Sequence, residues 1–290
     1  MALRIQVIFG GLANGAIYGL AALGLTFIYR VTGMLNFAQG MVLTLAGLTY
    51  ARLVMEGFDI LPAALVAIVG AAVLSGLIGL GLQRWFGPDH HMTGALLTLA
   101  LAVVLQAVAS LVFGKDALIG PSIIELPNLR LGGAVIRGDQ LFVIACAAAA
   151  SIAFWAWLRW TRQGKVFTAL VDDPVGAQVI GLRINHLRVA AFVVGGLLAG
   201  LAGVAITPAN TMAFNSGDIL LLNAVTAAAV GGISKPLAAL VGGIAVGLVE
   251  SIAAATVGSL WQITIPMAVL MLVLAVRPEG LLGGRKVRSL

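Results

Sequence analysis

Groups able to do acid–base, nucleophilic or metal chemistry are scarce in this chain. Its 290 residues hold 11 carboxylates, three histidines and one cysteine. His90 and His91 follow Asp89, a start on a metal site, but no fourth ligand lies near them in sequence. Neither a Walker-type phosphate loop, nor a GxSxG elbow, nor a spaced carboxylate pair occurs. No cofactor is therefore expected. Cys146 stands alone in an apolar run and reads as an inert core residue. Glu250, in Gly247-Leu-Val-Glu-Ser251, is the clear acid within a long apolar stretch. Either it faces a cavity, or it lies near a helix end and extends its carboxylate to the interface. An enzyme working in the lipid phase needs a nucleophile–base pair or metal ligands at bilayer depth, and neither is legible here.

What remains is neutral polar chemistry. Asn14 and Tyr18, four residues apart, share one helix face. Asn36 and Gln39 are three apart at the start of a second apolar run, and Asn223 opens a short one. Two readings stand: hydrogen bonds between helices, or the lining of a path for a small polar or zwitterionic solute. The one long polar interruption is residues 159–188. Within it Asp173 can cap a helix, Pro174 suits the first helical position, and Asp172 and Asp173 complement the positive end of the dipole. Gly181 suits the position after the helix, where φ is usually positive. These residues predict a helix over 174–180, about 10 Å long. It is either a docking site or part of an ordinary solvated loop.

The elements that must position these residues follow from composition. The chain is 61% hydrophobic and 10% charged, with a mean hydropathy of +1.08. Soluble domains carry about 25% charged residues, so a soluble globular domain is excluded. The apolar runs are continuous rather than alternating, which excludes an outer-membrane barrel. The fold class is an all-α polytopic membrane protein with eight or nine transmembrane helices. The predicted spans are 5–29, 34–55, 61–82, 93–113, 140–158, 189–207, 237–255 and 260–276. The short piece 219–233 either crosses as well or re-enters as a half-helix, which is tolerated only where protein or water satisfies its backbone. No small-residue cleavage site follows the first apolar run, so it is read as a retained span. Residues 1–290 form a single transmembrane domain, with loops at 114–139 and 159–188. The former could hold short strands or an interfacial helix.

Glycine spacing predicts where helices touch. Gly11, Gly15 and Gly19 form overlapping GxxxG patterns, and Gly196/Gly200 and Gly243/Gly247 form two more. Charge predicts orientation. With nine crossings and loop 159–188 in the cytoplasm, Arg4, Arg52, Lys115, Arg130 and Arg137 fall outside, and the other twelve of the 17 basic residues fall inside. The N-terminus is then external and the C-terminus cytoplasmic.

The run Gly15 to Tyr29, followed by Leu35-Asn-Phe-Ala-Gln-Gly40, resembles the LivH-type permease of branched-chain amino-acid ABC importers. So do Gly231-Gly-Ile with the run Ala238 to Ser251, and the ending Arg277-Pro-Glu-Gly-Leu-Leu-Gly283. The segment holding Ala169, Asp172, Asp173, Ala177 and Gly181 is similar to that family's cytoplasmic coupling segment. The resemblance implies a bacterial inner-membrane permease whose 172–181 helix docks on a partner ATPase. It also implies two cytoplasmic ABC ATPase subunits, a second permease of LivM type and an external solute-binding protein. The translocation path would then draw on Asn14, Tyr18, Asn36, Gln39, Asn223 and Glu250. The chain departs from the family's common pattern at Gln39, Met41 and residues 234–238. The solute stays open between branched-chain amino acids and urea or another small polar solute. A stand-alone ion-coupled transporter is the reading from a different class, and a lone Glu250 is thin support for it.

Overall fold

The computed structural model describes residues 2–86, 91–124, 126–131, 134–233, 235–258 and 261–276. Asp89 and His90 and the motif 277–283 lie outside the described residues, as does the side chain of His91. The described chain runs α1 (Ala2–Thr32), α2 (Gln39–Met55), α3 (Ile60–Phe86), α4 (His91–Phe113), β1 (Leu129–Leu131), β2 (Ala134–Ile136), α5 (Gly138–Trp160), α6 (Arg162–Asp172), α7 (Pro174–Val179), α8 (Ile184–Ile206), α9 (Ser216–Gly231), α10 (Pro236–Thr256) and α11 (Trp261–Val276). On length and apolarity, spans within α1, α3, α4, α5, α8 and α10 suffice to cross a membrane. Helices α2, α9 and α11 have 16 or 17 residues, so the count of eight or nine crossings rests on these shorter helices as well.

Helix α1 is the axis of the bundle. From Ala16 to Phe27 every residue is buried, and α10, α8, α5 and α9 surround it. Glycine makes this possible. A Cβ at Gly15 would lie 2.7 Å from the Gly243 carbonyl oxygen, and one at Gly11 would lie 2.8 Å from that of Gly247. The α1–α10 seam is therefore backbone against backbone, as the GxxxG spacing predicts. Gly196 and Gly200 do the same for α8 against Ala71 and Ile68 of α3. The outer faces stay apolar, since lipid gives Leu65, Val69 and Val73 of α3, or Leu96 and Val103 of α4, no reason to hide.

The ends of the bundle differ. At one end the Tyr50 hydroxyl donates to the Pro121 carbonyl at 2.7 Å, and Leu118 and Met212 form an isolated bridge. These contacts gather the end of α2, the α4–α5 loop and the α8–α9 loop. The α4–α5 loop carries the β1–β2 hairpin, paired Leu129 with Ile136, so short strands rather than an interfacial helix occupy it. At the other end α6 lies against α1 and α5.

Two helix starts differ from the apolar runs by five residues. Helix α2 begins at Gln39 rather than 34, because the Asn36 Oδ1 accepts from the Ala38 N–H at 3.1 Å and holds an Asx turn ahead of the helix. Helix α8 begins at Ile184 rather than 189, carrying Asn185, His186 and Arg188 as polar first turns beyond the apolar run.

Candidate functional site

Three of the polar residues meet where α1, α9 and α10 come together. The Tyr18 hydroxyl faces the side chains of Glu250 and Asn223, which are its electrostatic neighbours. All three are buried, Glu250 at 3% exposure. The carboxyl group thus turns inward to the tyrosine; it does not reach for the helix end. An acid buried at span depth is costly, and polar partners are what make it tolerable. Because Gly15 and Gly19 bring α1 against α10 on either side of Tyr18, the side-chain oxygens meet without distorting either helix. Asn14, one turn earlier on α1, is half-buried and accepts from the Asn210 side-chain amide at 3.2 Å. Asn210 lies in the α8–α9 link, where sequence spacing gave no sign of it.

Asn36 and Gln39 sit elsewhere and do different work. Gln39 Nε2 donates to the Gly195 carbonyl of α8 at 2.8 Å, and Asn36 Nδ2 donates to Gln39 Oε1 at 3.3 Å. The Thr98 hydroxyl on α4 accepts from the Phe37 N–H at 3.1 Å. These bonds satisfy the non-helical stretch between α1 and α2, and Asn36 and Gln39 are at most 1% exposed. This pair follows the interhelical reading: it clamps α2 to α8. The polar candidates therefore divide into a cluster along α1 and a separate clamp.

The polar loop holds two helices where the caps predicted one. In α7, Asp173 Oδ1 accepts from the N–H groups of Val175 at 3.1 Å and Gly176 at 2.9 Å, with Pro174 in the first turn. Gly181 has φ +86°, and the Leu182 N–H closes back on the Ala177 carbonyl at 3.0 Å. Ala177 is buried and anchors the helix, while Ala169, Asp172, Asp173 and Gly181 are exposed. Val175, Val179 and Ile180 are also exposed, at 71%, 82% and 72%. Three adjoining apolar side chains on a charged loop form a small sticky surface. The missed helix, α6, is capped by Thr161, whose hydroxyl accepts from the Gly164 N–H at 3.0 Å. Its signal was present: Phe167, Leu170 and Val171 recur at helical spacing, and the first two are buried.

Among the described residues no three His, Cys, Asp or Glu side chains cluster as metal ligands. What the geometry offers is a set of amides, a phenol and one carboxyl on a rigid, glycine-packed axis, joined to an exposed apolar helix at one end.

The model of the branched-chain amino acid transport system / permease component family matches residues 7–274. This chain belongs to that permease family. Across 98% of its length it is 28% identical to the high-affinity branched-chain amino acid transport system permease protein LivH of Escherichia coli K12, covering 97% of that protein. It is 25% identical to the corresponding permease protein BraD of Pseudomonas aeruginosa over the same shares. Among solved structures, PsaBC from Streptococcus pneumoniae in complex with Fab aligns at a TM-score of 0.50 and 14% identity, over 93% of this chain and 91% of that one. That likeness concerns the fold alone. As a member of this permease family the chain is a transport component rather than an enzyme, and a multi-pass protein of the inner membrane.

Proposed function

We propose that this chain is the permease subunit of an ABC importer for branched-chain amino acids. The observation that carries the reading is the end-to-end likeness to permeases named for that transport. In this reading two cytoplasmic ABC ATPase subunits burn the fuel, a second permease of LivM type completes the path, and an external binding protein delivers the solute. The N-terminus is outside, the C-terminus is cytoplasmic, and α1–α5 and α8–α11 make nine crossings. Two things support that arrangement: the excess of basic residues on the cytoplasmic side, and the gathering of the α2, α4 and α8 C-terminal ends at one end of the bundle.

Residues 1–290 act as one domain. The 159–188 loop receives the ATPase through Val175 and Val179 of α7 and Ile180 just beyond it, held in shape by Asp173, Ala177 and Gly181. Ala169 and Asp172 flank that contact. Asn14 with Asn210, then Tyr18, Asn223 and Glu250, present neutral and acidic oxygens along α1. The oxygens are suited to replacing the hydration of an amino acid's ammonium as it passes, and the amide N–H groups and the Tyr18 hydroxyl to donating to its carboxylate. Asn36 and Gln39 act at one remove, fixing the α2–α8 wall. ATPase closure moves α7, and the helices rock around the axis.

The assembled complex, reconstituted in liposomes with its binding protein, is expected to take up leucine only with ATP inside. Uptake by the single chain under an ion gradient alone would sink the proposal. Glu250→Gln keeps the side chain's size and its place beside Tyr18 and should leave the fold intact while lowering uptake about tenfold, the effect of exchanging a charge-assisted bond to the solute's ammonium for a neutral one.

A further inference from the structure

Four aromatic rings meet where α6 reaches the bundle. Phe167 of α6 stands edge-on to Phe27 of α1, with ring centroids 5.3 Å apart, and lies 5.5 Å from Trp157 of α5. Phe27 is also edge-on to Phe154 at 5.1 Å and to Trp157 at 6.1 Å. Phe27, Phe154 and Phe167 are each at most 5% exposed. Edge-to-face rings of this kind resist sliding, since their geometry is specific. The corner between α5 and α6 is equally firm. The Thr161 hydroxyl donates to the Trp157 carbonyl at 2.7 Å, and Gly164 sits so close to Leu158 that a Cβ there would fall 2.5 Å from its Cα. Helix α7, by contrast, is tied down mainly by Ala177.

The geometry points to Phe167 as a positioning residue: the four rings are the joint through which displacement of α6 and α7 is delivered to α1. The inference rests on the transport reading above and adds to it the route of the motion. Phe27 lies nine residues beyond Tyr18, about 14 Å along the helix. Between them Gly19 rides on α10 with backbone contact. A push on α6 therefore reaches the Tyr18–Glu250–Asn223 cluster through a stiff helix rather than through a chain of flexible side chains. Phe154 and Trp157 stop α6 from tilting away instead of pushing.

The test is the ratio of leucine taken up to ATP hydrolysed, measured on the complete complex in liposomes. Phe167→Ala and Phe27→Ala are each expected to leave the complex assembled and hydrolysing ATP, with uptake per ATP down about tenfold, in the range of mutations that weaken coupling between sites. Because both act through one contact, the double variant should lose little more than either single one. Phe167→Leu, which restores apolar bulk, should recover most of the ratio. An unchanged ratio in an assembled Phe167→Ala complex overturns the inference. So does failure of both single variants to assemble, which would make the rings an anchor only. If the wild-type complex shows no ATP-driven uptake, the transport reading itself falls and takes the joint with it; a working wild type with an indifferent Phe167→Ala rejects the joint alone.

Discussion

The α1–α10 seam and the α7 helix are held together in opposite ways. In the seam, Gly15 and Gly243 let two backbones touch, and stability comes from contacts between residues more than 200 apart in sequence. Helix α7 is held almost wholly by its own neighbours: Asp173 caps it, Pro174 starts it and Gly181 ends it. The seam has no slack for a methyl group, whereas α7 and its C-cap display Val175, Val179 and Ile180 to solvent. The difference teaches where motion and recognition are affordable. Under the proposed docking, the surface that meets the ATPase is local and exposed, and the axis is rigid.

Four substitutions break or sharpen that contrast. Gly15→Leu should do the most damage, because even a Cβ at Gly15 collides with backbone. A loss of about 4 kcal/mol or more is expected, read as absence of folded protein on detergent gel filtration. Folded, stable Gly15→Leu protein would refute the tight seam. Next is Gln39→Leu, which removes the side-chain donor to the Gly195 carbonyl and the acceptor of the buried Asn36 amide and should cost about 1–3 kcal/mol. Thermal unfolding in detergent would register this as a lower midpoint, and an unshifted midpoint would show that the clamp carries no weight.

Asp173→Ala removes two accepted N–H bonds and should cost about 1 kcal/mol, confined to α7. Hydrogen exchange should quicken at residues 175–177 while protection in α1 stays as it was; a spread of the effect into α1 would contradict the locality of α7. Val179→Ser should change stability least, within about 0.5 kcal/mol, since the side chain is exposed. It should nonetheless weaken binding of the ATPase in a pull-down with the purified complex partners. Undiminished binding would move the docking surface off α7.

Much of this was legible in the residues. Composition settled the membrane class, because lipid demands long uncharged helices that few other constraints produce. The α7 caps were readable because a cap is a short-range bond between neighbours in the chain. Helix α6 is harder to read although Phe167 and Leu170 are spaced for a helix face, since a weakly apolar amphipathic stretch resembles a loop. The start of α2 is not legible in the apolar run, because apolar periodicity does not register an Asx turn at Asn36.

By itself, then, the sequence determined the all-helical membrane class, the contact faces marked by glycine and the short capped helix, all of which depend on local spacing. Only the tertiary structure decided which polar side chains meet. Tyr18, Asn223 and Glu250 come together while Asn36 and Gln39 serve a different contact, and Asn210 joins Asn14 across the fold. The physical reason is that a polar group in a span needs a partner, but nothing in its own neighbourhood says which helix will supply it. That choice belongs to the packing of whole helices, which glycine permits and the bundle as a unit completes.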